Sequence, residues 1–182
     1  MLFKKVFLSV VVFIFGFGFT SCHTDKFEKQ YKQIDSLVGV LDTAYNKLNE
    51  LDTSVVQSYY ETYTQNIKHI KDNFDEKNDD EVWRVITRYG LIRKPLRDFK
   101  KHYINYSEEI EFSKSQLTNL KADIKNNILT EDLIEQYIKE EAEFVNYLNL
   151  SVGGLMEITN NYYQQYLELN PLVEKFINEK KI

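Results

Sequence analysis

The chain of 182 residues holds one cysteine, two prolines, six glycines, one tryptophan and three histidines. A single thiol excludes an internal disulfide framework and a cysteine-rich zinc site. His23, His69 and His102 are too scattered to suggest a histidine metal centre or a nucleophile with its base. No His-Glu-x-x-His, phosphate-binding glycine loop or dinucleotide fingerprint is present. No Glu stands three residues before a His, so the pattern of carboxylate-bridged di-iron bundles is missing as well. The stretch from Asp75 to Ile86 is only superficially like a calcium loop: Lys77 occupies a ligand position, the central glycine is absent and Ile86 replaces the terminal Glu. No catalytic residue, metal or cofactor is therefore expected. Strand-like alternation with turn signals is also lacking. With 43% hydrophobic and 14% aromatic residues, the composition is nevertheless that of a folded protein, and the length suits one domain.

What is present starts with an address. Lys4 and Lys5 precede an apolar run from Val6 to Phe19. The run is about 14 residues long, short of the roughly 18 to 20 needed to cross a hydrocarbon core, and fits the apolar region of a signal peptide. The sole cysteine, Cys22, follows the small residues Thr20 and Ser21. This resembles the lipobox of bacterial lipoproteins. The resemblance implies a diacylglycerol on the Cys22 thiol, cleavage after Ser21 and acylation of the new terminus. Residues 1–21 are then a signal peptide, 22–26 a lipidated tether and 27–182 a single helical-bundle domain. The alternative is an ordinary secretory peptide or membrane anchor with a chance cysteine. Acyl chains contribute about 0.8 kcal/mol per buried methylene, so two or three hold a protein on a bilayer essentially permanently. Cys22 would be an anchor rather than a nucleophile. Lipoproteins without Asp at the position of His23 are generally sent to the outer membrane. Thr24 to Glu28 lacks the acidic cluster of a surface-export signal in Bacteroidota, which points to the periplasmic face.

Beyond the tether the apolar pattern is helical. Phe27, Tyr31, Ile34, Val38, Leu41, Tyr45 and Leu48 step by four and three, and the seam continues through Leu51, Val55, Tyr59, Tyr63, Ile67, Ile70 and Phe74. Asp52-Thr53 can cap a new helix, so the first helix is either continuous or broken there. After a polar turn, a second helix starts near Asp80 with Val82, Trp83 and Ile86. It is interrupted at Gly90 and Pro95 and resumes as Leu96, Phe99, Tyr103, Tyr106, Ile110, Ser113, Leu117, Leu120, Ile124 and Ile128. Asn126-Asn127 closes it, and Thr130 caps a third helix. The buried face of that helix is expected at Tyr137, Glu141, Phe144, Leu148, Val152, Leu155, Ile158, Tyr162, Tyr166 and Leu169, with Pro171 bending or ending it. Each of the three segments would be about 75 Å long. The expected fold is all-α: an elongated antiparallel bundle of three long helices, or four if the first breaks near Asp52, with seams leaving little room for a large cavity. The body resembles coiled-coil lipoproteins whose names derive from viral A-type inclusion protein repeats, a likeness of heptads that implies no activity.

Charge is distributed unevenly. All four arginines, Arg84, Arg88, Arg93 and Arg97, fall close together, and Lys94, Lys100 and Lys101 join them against Asp98 alone. Glu131 to Glu143 is acidic by contrast. Helix registration puts the basic stretch about 40 to 65 Å from the anchored end and the acidic stretch within the first 20 Å. The basic stretch is either a docking surface for an anionic protein or envelope polymer or a solvated face. Nucleic acid is not an expected partner for an exported chain with net charge −5. The acid-rich runs Glu108 to Glu111 and Glu140 to Glu143 read as solvated faces.

Tyrosines repeat at matching heights. Tyr59, Tyr60 and Tyr63 share a Tyr-Tyr-x-x-Tyr pattern with Tyr162, Tyr163 and Tyr166, and both begin 32 residues into helices that would run parallel. An aromatic layer is expected around the bend at Pro95. Gly153-Gly154 falls level with Asp52, where a close backbone approach or a mobile joint is expected. Asp35-Ser36-Leu37 and Asp42-Thr43-Ala44 resemble acceptor sites of Bacteroidota O-glycosylation, which marks Ser36 and Thr43 as candidates. Two readings remain: a non-catalytic envelope lipoprotein presenting an interaction surface, or a binder of a small ligand or lipid in a gap near Gly90, Pro95 and the tyrosines.

Overall fold

The computed structural model describes residues 26–73 and 80–179. The signal peptide, Cys22 and most of the tether, Phe74 and the acidic half of the calcium-like loop lie outside these residues. Every regular element among the described residues is a helix: α1 (Glu28–Asn49), α2 (Thr53–Asn73), α3 (Asp80–Leu91), α4 (Arg93–Lys125) and α5 (Glu131–Asn178). They form three arms, α1–α2, α3–α4 and α5, packed as an elongated antiparallel bundle. With 48 residues, α5 is about 72 Å long.

Side-chain pairs fix the register. Lys26 meets Glu131 near the starts of α1 and α5, while Asn66 meets Asn170, 104 residues apart, far up the same two arms. These arms therefore run parallel. Against α4 the order reverses: Asp42 pairs with Lys114 and Asp35 with Lys121. The end carrying Lys26 and Glu131 is called the base below.

Local chemistry explains the breaks. At the end of α1 the Glu50 and Leu51 amides turn back to the Lys47 and Leu48 carbonyls, tightening the last turn. Asp52 then restarts the helix: its Oδ1 accepts from the Ser54 and Val55 amides at 2.9 and 3.1 Å. The hydrogen bonds from the Ser54 hydroxyl and the Val55 amide hold the Asp52 carboxyl below the ordinary aspartate value. The first arm is thus broken at Asp52. The second arm breaks too, at Ile92, between the interruptions expected at Gly90 and Pro95, which makes five helices among the described residues. The second break accommodates Pro95. Lacking an N–H, it sits in the first turn of α4, where amide donors have no intrahelical partner.

The base turn is a Schellman closure. The Ile128 amide reaches the Asp123 carbonyl, the Asn127 amide reaches Ile124, and Asn127 takes φ 54°. Thr130 Oγ1 then accepts from the Leu133 amide, capping α5. Of the two expectations for Pro171, ending the helix is not met: the residue lies inside α5, which runs on to Asn178. The carbonyl it deprives of a donor belongs to Leu167, and both residues lie on the exposed side of the helix.

The core follows the heptads with local slips. In α5 the buried residues near the base are Ile134, Ile138 and Val145. Tyr137, Phe144 and Ile158, expected inside, are exposed. Two apolar rows run side by side there, and because α5 packs against both α1 and α4, the aliphatic row between them is the one buried. Similarly Ala44 replaces Tyr45, Val56 replaces Val55, and Val85 and Tyr89 replace Trp83 and Ile86. Ile128, in the base turn, is exposed.

Candidate functional site

Halfway up the molecule the groove between α4 and α5 opens into a cleft of about 460 Å³ that reaches α2. The space is an open groove on the side of the bundle, not a cavity enclosed between the seams. Pro95, Phe99, His102 and Tyr106 line it from α4, and Ser151, Gly154, Leu155, Ile158 and Tyr162 from α5. Val56 and Tyr59 of α2 contribute as well. The space exists because α5 turns Ser151, Gly154 and Thr159 toward it, none large enough to fill a groove between helices.

Gly153 and Gly154 are neither a close approach nor a joint. A Cβ at either would meet no atom within 4 Å, and both lie inside a continuous helix.

Above the cleft the tyrosines make a chain of rings. Tyr59 stacks on Tyr166 at 4.2 Å and lies 5.2 Å from Tyr163. Tyr89 continues the chain to Tyr63 at 4.9 Å and to Tyr166 at 6.4 Å. A hydrogen bond with the Tyr163 hydroxyl, together with burial, pushes the Tyr59 phenol up to about 12. Tyr60 is half-buried against the core, and Tyr162 lines the cleft. Tyr89, fully buried at the centre, was not singled out from sequence. The signal was there: Val82, Val85, Tyr89, Ile92 and Leu96 step by three and four straight across Gly90.

Tyr89 also anchors a polar network. Its hydroxyl donates to Asn170 Oδ1 at 2.7 Å, Asn66 Nδ2 donates to the same oxygen at 3.0 Å, and Asn170 Nδ2 donates to Glu174 at 2.8 Å. Burial drives the Tyr89 phenol far above the ordinary tyrosine value. A second polar pair, with Ser113 buried and Glu141 half-buried, sits nearer the base. Ser113, the one polar residue in the α4 seam, donates to Glu141, the one acid in the α5 seam, at 3.2 Å. Burial raises the Glu141 carboxyl above its usual range.

The basic residues do not form a single face. Arg88 holds Glu168 through two hydrogen bonds, 3.0 and 3.2 Å, and Arg97 holds Asp98 at 2.7 and 3.1 Å. Arg84 donates to the Asp80 carbonyl. Arg93, Lys94, Lys100 and Lys101 are exposed and make no ion pair among the described residues. Lys94, Arg97 and Lys101, at i, i+3 and i+7, share one side of α4, and Lys94 lines the cleft.

Ser36 and Thr43 are exposed on α1, and the Thr43 hydroxyl donates to the Gly39 carbonyl. The aspartates that precede them have a structural use, since Asp35 and Asp42 pair with Lys121 and Lys114. Among the described residues, no three His, Cys, Asp or Glu side chains are grouped to hold a metal, and no helix is long and apolar enough to cross a membrane. Comparison with protein-family models, curated proteins and solved structures finds no match for the chain.

Proposed function

We propose that the protein is a lipid-anchored, non-catalytic component of the bacterial cell envelope, held through Cys22 on the periplasmic face of the outer membrane. The observation that carries this reading is the placement of the only cysteine directly after Thr20-Ser21, at the end of a signal-length apolar run. The fold supports it geometrically. The described chain begins at the base, so an acylated Cys22 leaves the upper half of the bundle tens of ångströms from the bilayer. There Arg93, Lys94, Lys100 and Lys101 offer exposed positive charge to an anionic protein or envelope polymer. The test is Cys22→Ser. The variant should leave the membrane fraction, and intact-mass measurement should show acyl chains on the wild-type chain alone. Retention of the variant with residues 1–21 uncut would establish a signal anchor instead.

A second reading, a small-ligand or lipid binder, is favoured by one specific observation, the cleft. Its volume falls within the roughly 300 to 1,000 Å³ of ligand sites. The two readings are compatible, since a tethered bundle can hold a ligand.

A further inference from the structure

Resting on the second reading, the geometry points to the cleft as a site for an amphipathic organic anion, a long apolar chain ending in an anionic head. The chain lies against Val56, Phe99, Leu155 and Ile158, and the head lies at Lys94.

The apolar half of the argument is that the space is maintained at a cost. Glycine inside a helix is about 1 kcal/mol less favourable than alanine. Gly154 stands in the middle of the longest helix, where neither a turn nor a positive φ requires it. Packing does not require it either, because a Cβ there would meet nothing within 4 Å. A longer side chain would grow into the cleft. The residue choice therefore keeps open a space that closing would stabilise. The walls around that space are mainly aliphatic and aromatic, suited to a hydrocarbon chain.

The charged half concerns the rim. Among the described residues Asp98 is the one carboxylate lining the cleft, and Arg97 holds it through two hydrogen bonds. Lys94, on the same lining, makes no ion pair among the described residues; Asp98 feels its charge but is already held by Arg97, so Lys94 and Arg97 against Asp98 leave the rim net positive, and Lys101 stands two turns along on the same side of α4. A neutral ligand would leave this positive rim uncompensated, and a cationic one would be repelled. Elongation follows from the shape, since the lining runs along α5 from Ser151 to Tyr163.

Free fatty carboxylates and phosphate-headed lysolipids share this chemistry, and one experiment separates them. Full-length protein in its own membranes is irradiated with diazirine analogues of a sixteen-carbon carboxylate, a lysophosphatidate and the corresponding neutral alcohol, and the labelled peptides are mapped by mass spectrometry. Labelling within residues 94–106 and 151–163 should be about tenfold stronger for an anionic probe than for the alcohol. The preferred head identifies the source. Lys94→Glu should bring the anionic probes down to the alcohol's level. Gly154→Leu should reduce labelling by all probes about tenfold with helicity unchanged by circular dichroism. Thr159→Leu fills the cleft from the next turn and replaces it if helicity falls. Equal labelling of the cleft by all three probes would overturn the anionic head while leaving a ligand cleft standing. No cleft labelling by any probe would overturn both.

Discussion

The half of the bundle near the base and the half above Asp52 are built on the same heptads yet differ in kind. Near the base, Ile34, Leu41, Leu48, Ile110, Leu117, Ile134, Val145 and Leu148 close an aliphatic core, while the ion pairs Asp42–Lys114, Asp35–Lys121 and Lys26–Glu131 tie the arms outside. Exposed pairs of this kind contribute about 0 to 1 kcal/mol each, so burial carries that half. Above Asp52 the centre is tyrosine, a buried Asn170 network and an open cleft. Spacing aligns the helices in both halves, but side-chain volume decides whether the seam between them closes. A row of Leu, Ile and Val fills it, whereas Ser151, Gly154 and Thr159 opposite Pro95 do not.

The largest expected effect separates the halves directly. Leu148→Ala, in the closed core, should destabilise by about 2 to 5 kcal/mol, because a cavity forms where neighbours cannot collapse. Leu155→Ala, beside the cleft, should fall at the low end of that range, since its side chain already borders open space. Urea unfolding of the two variants measures the difference. Equal losses would mean that the upper half is as tightly packed as the lower.

The polar network gives the next effect. Asn170→Ala removes the acceptor shared by the Tyr89 hydroxyl and Asn66, and should cost about 1 to 3 kcal/mol for the donor left buried. Tyr89→Phe in the same chain should recover part of that loss by removing the stranded hydroxyl. If the two losses simply add in denaturant titrations, the network is not acting as a unit.

The difference between the halves was partly legible in the sequence. Helical class, the antiparallel order, the turn at Asn126-Asn127 and the cap at Thr130 follow from a period and from short-range chemistry that every residue carries locally. Counting along equal arms set Tyr59 level with Tyr162, about one turn short of the Tyr166 ring on which it stacks. A gap beside Pro95 and the tyrosines could be named from the sequence, but the size and the full lining of the cleft could not, because they depend on how far three helices stand apart once their larger residues are packed. Spacing reads Gly154 as a tight contact, whereas the structure puts open space beside it. Tyr89 was obscured by Gly90 and Pro95, which look like interruptions although the second arm breaks only at Ile92. The aromatic row of Tyr137 and Phe144 competed with the aliphatic row beside it, and only the positions of both neighbouring arms decide which faces inward.

Glycine offers a smaller test of the same contrast. Gly154→Ala and Gly153→Ala should each stabilise by about 0.4 to 1 kcal/mol through helix propensity and a less flexible unfolded chain, with no clash to offset the gain. Thermal unfolding followed at 222 nm reads this. A loss at Gly154 would mean that the helices approach more closely than the cleft allows.

The smallest effect tests the one polar intrusion near the base. Glu141 accepts from the buried Ser113, and burial raises its carboxyl above the ordinary value of 4.5. A raised carboxyl favours folding while protonated: its contribution is fully present below 4.5 and is lost as pH rises through the higher folded-state value. At neutral pH the ionised group therefore works against the fold. Glu141→Gln keeps an oxygen to accept from Ser113 and removes the charge, so the variant should melt above the wild type at pH 7. The advantage should vanish as pH falls below 4.5, where the wild-type carboxyl is itself neutral. An advantage of the same size at both pH values would show that the gain comes from packing, and that the base half tolerates its half-buried carboxylate at no electrostatic cost.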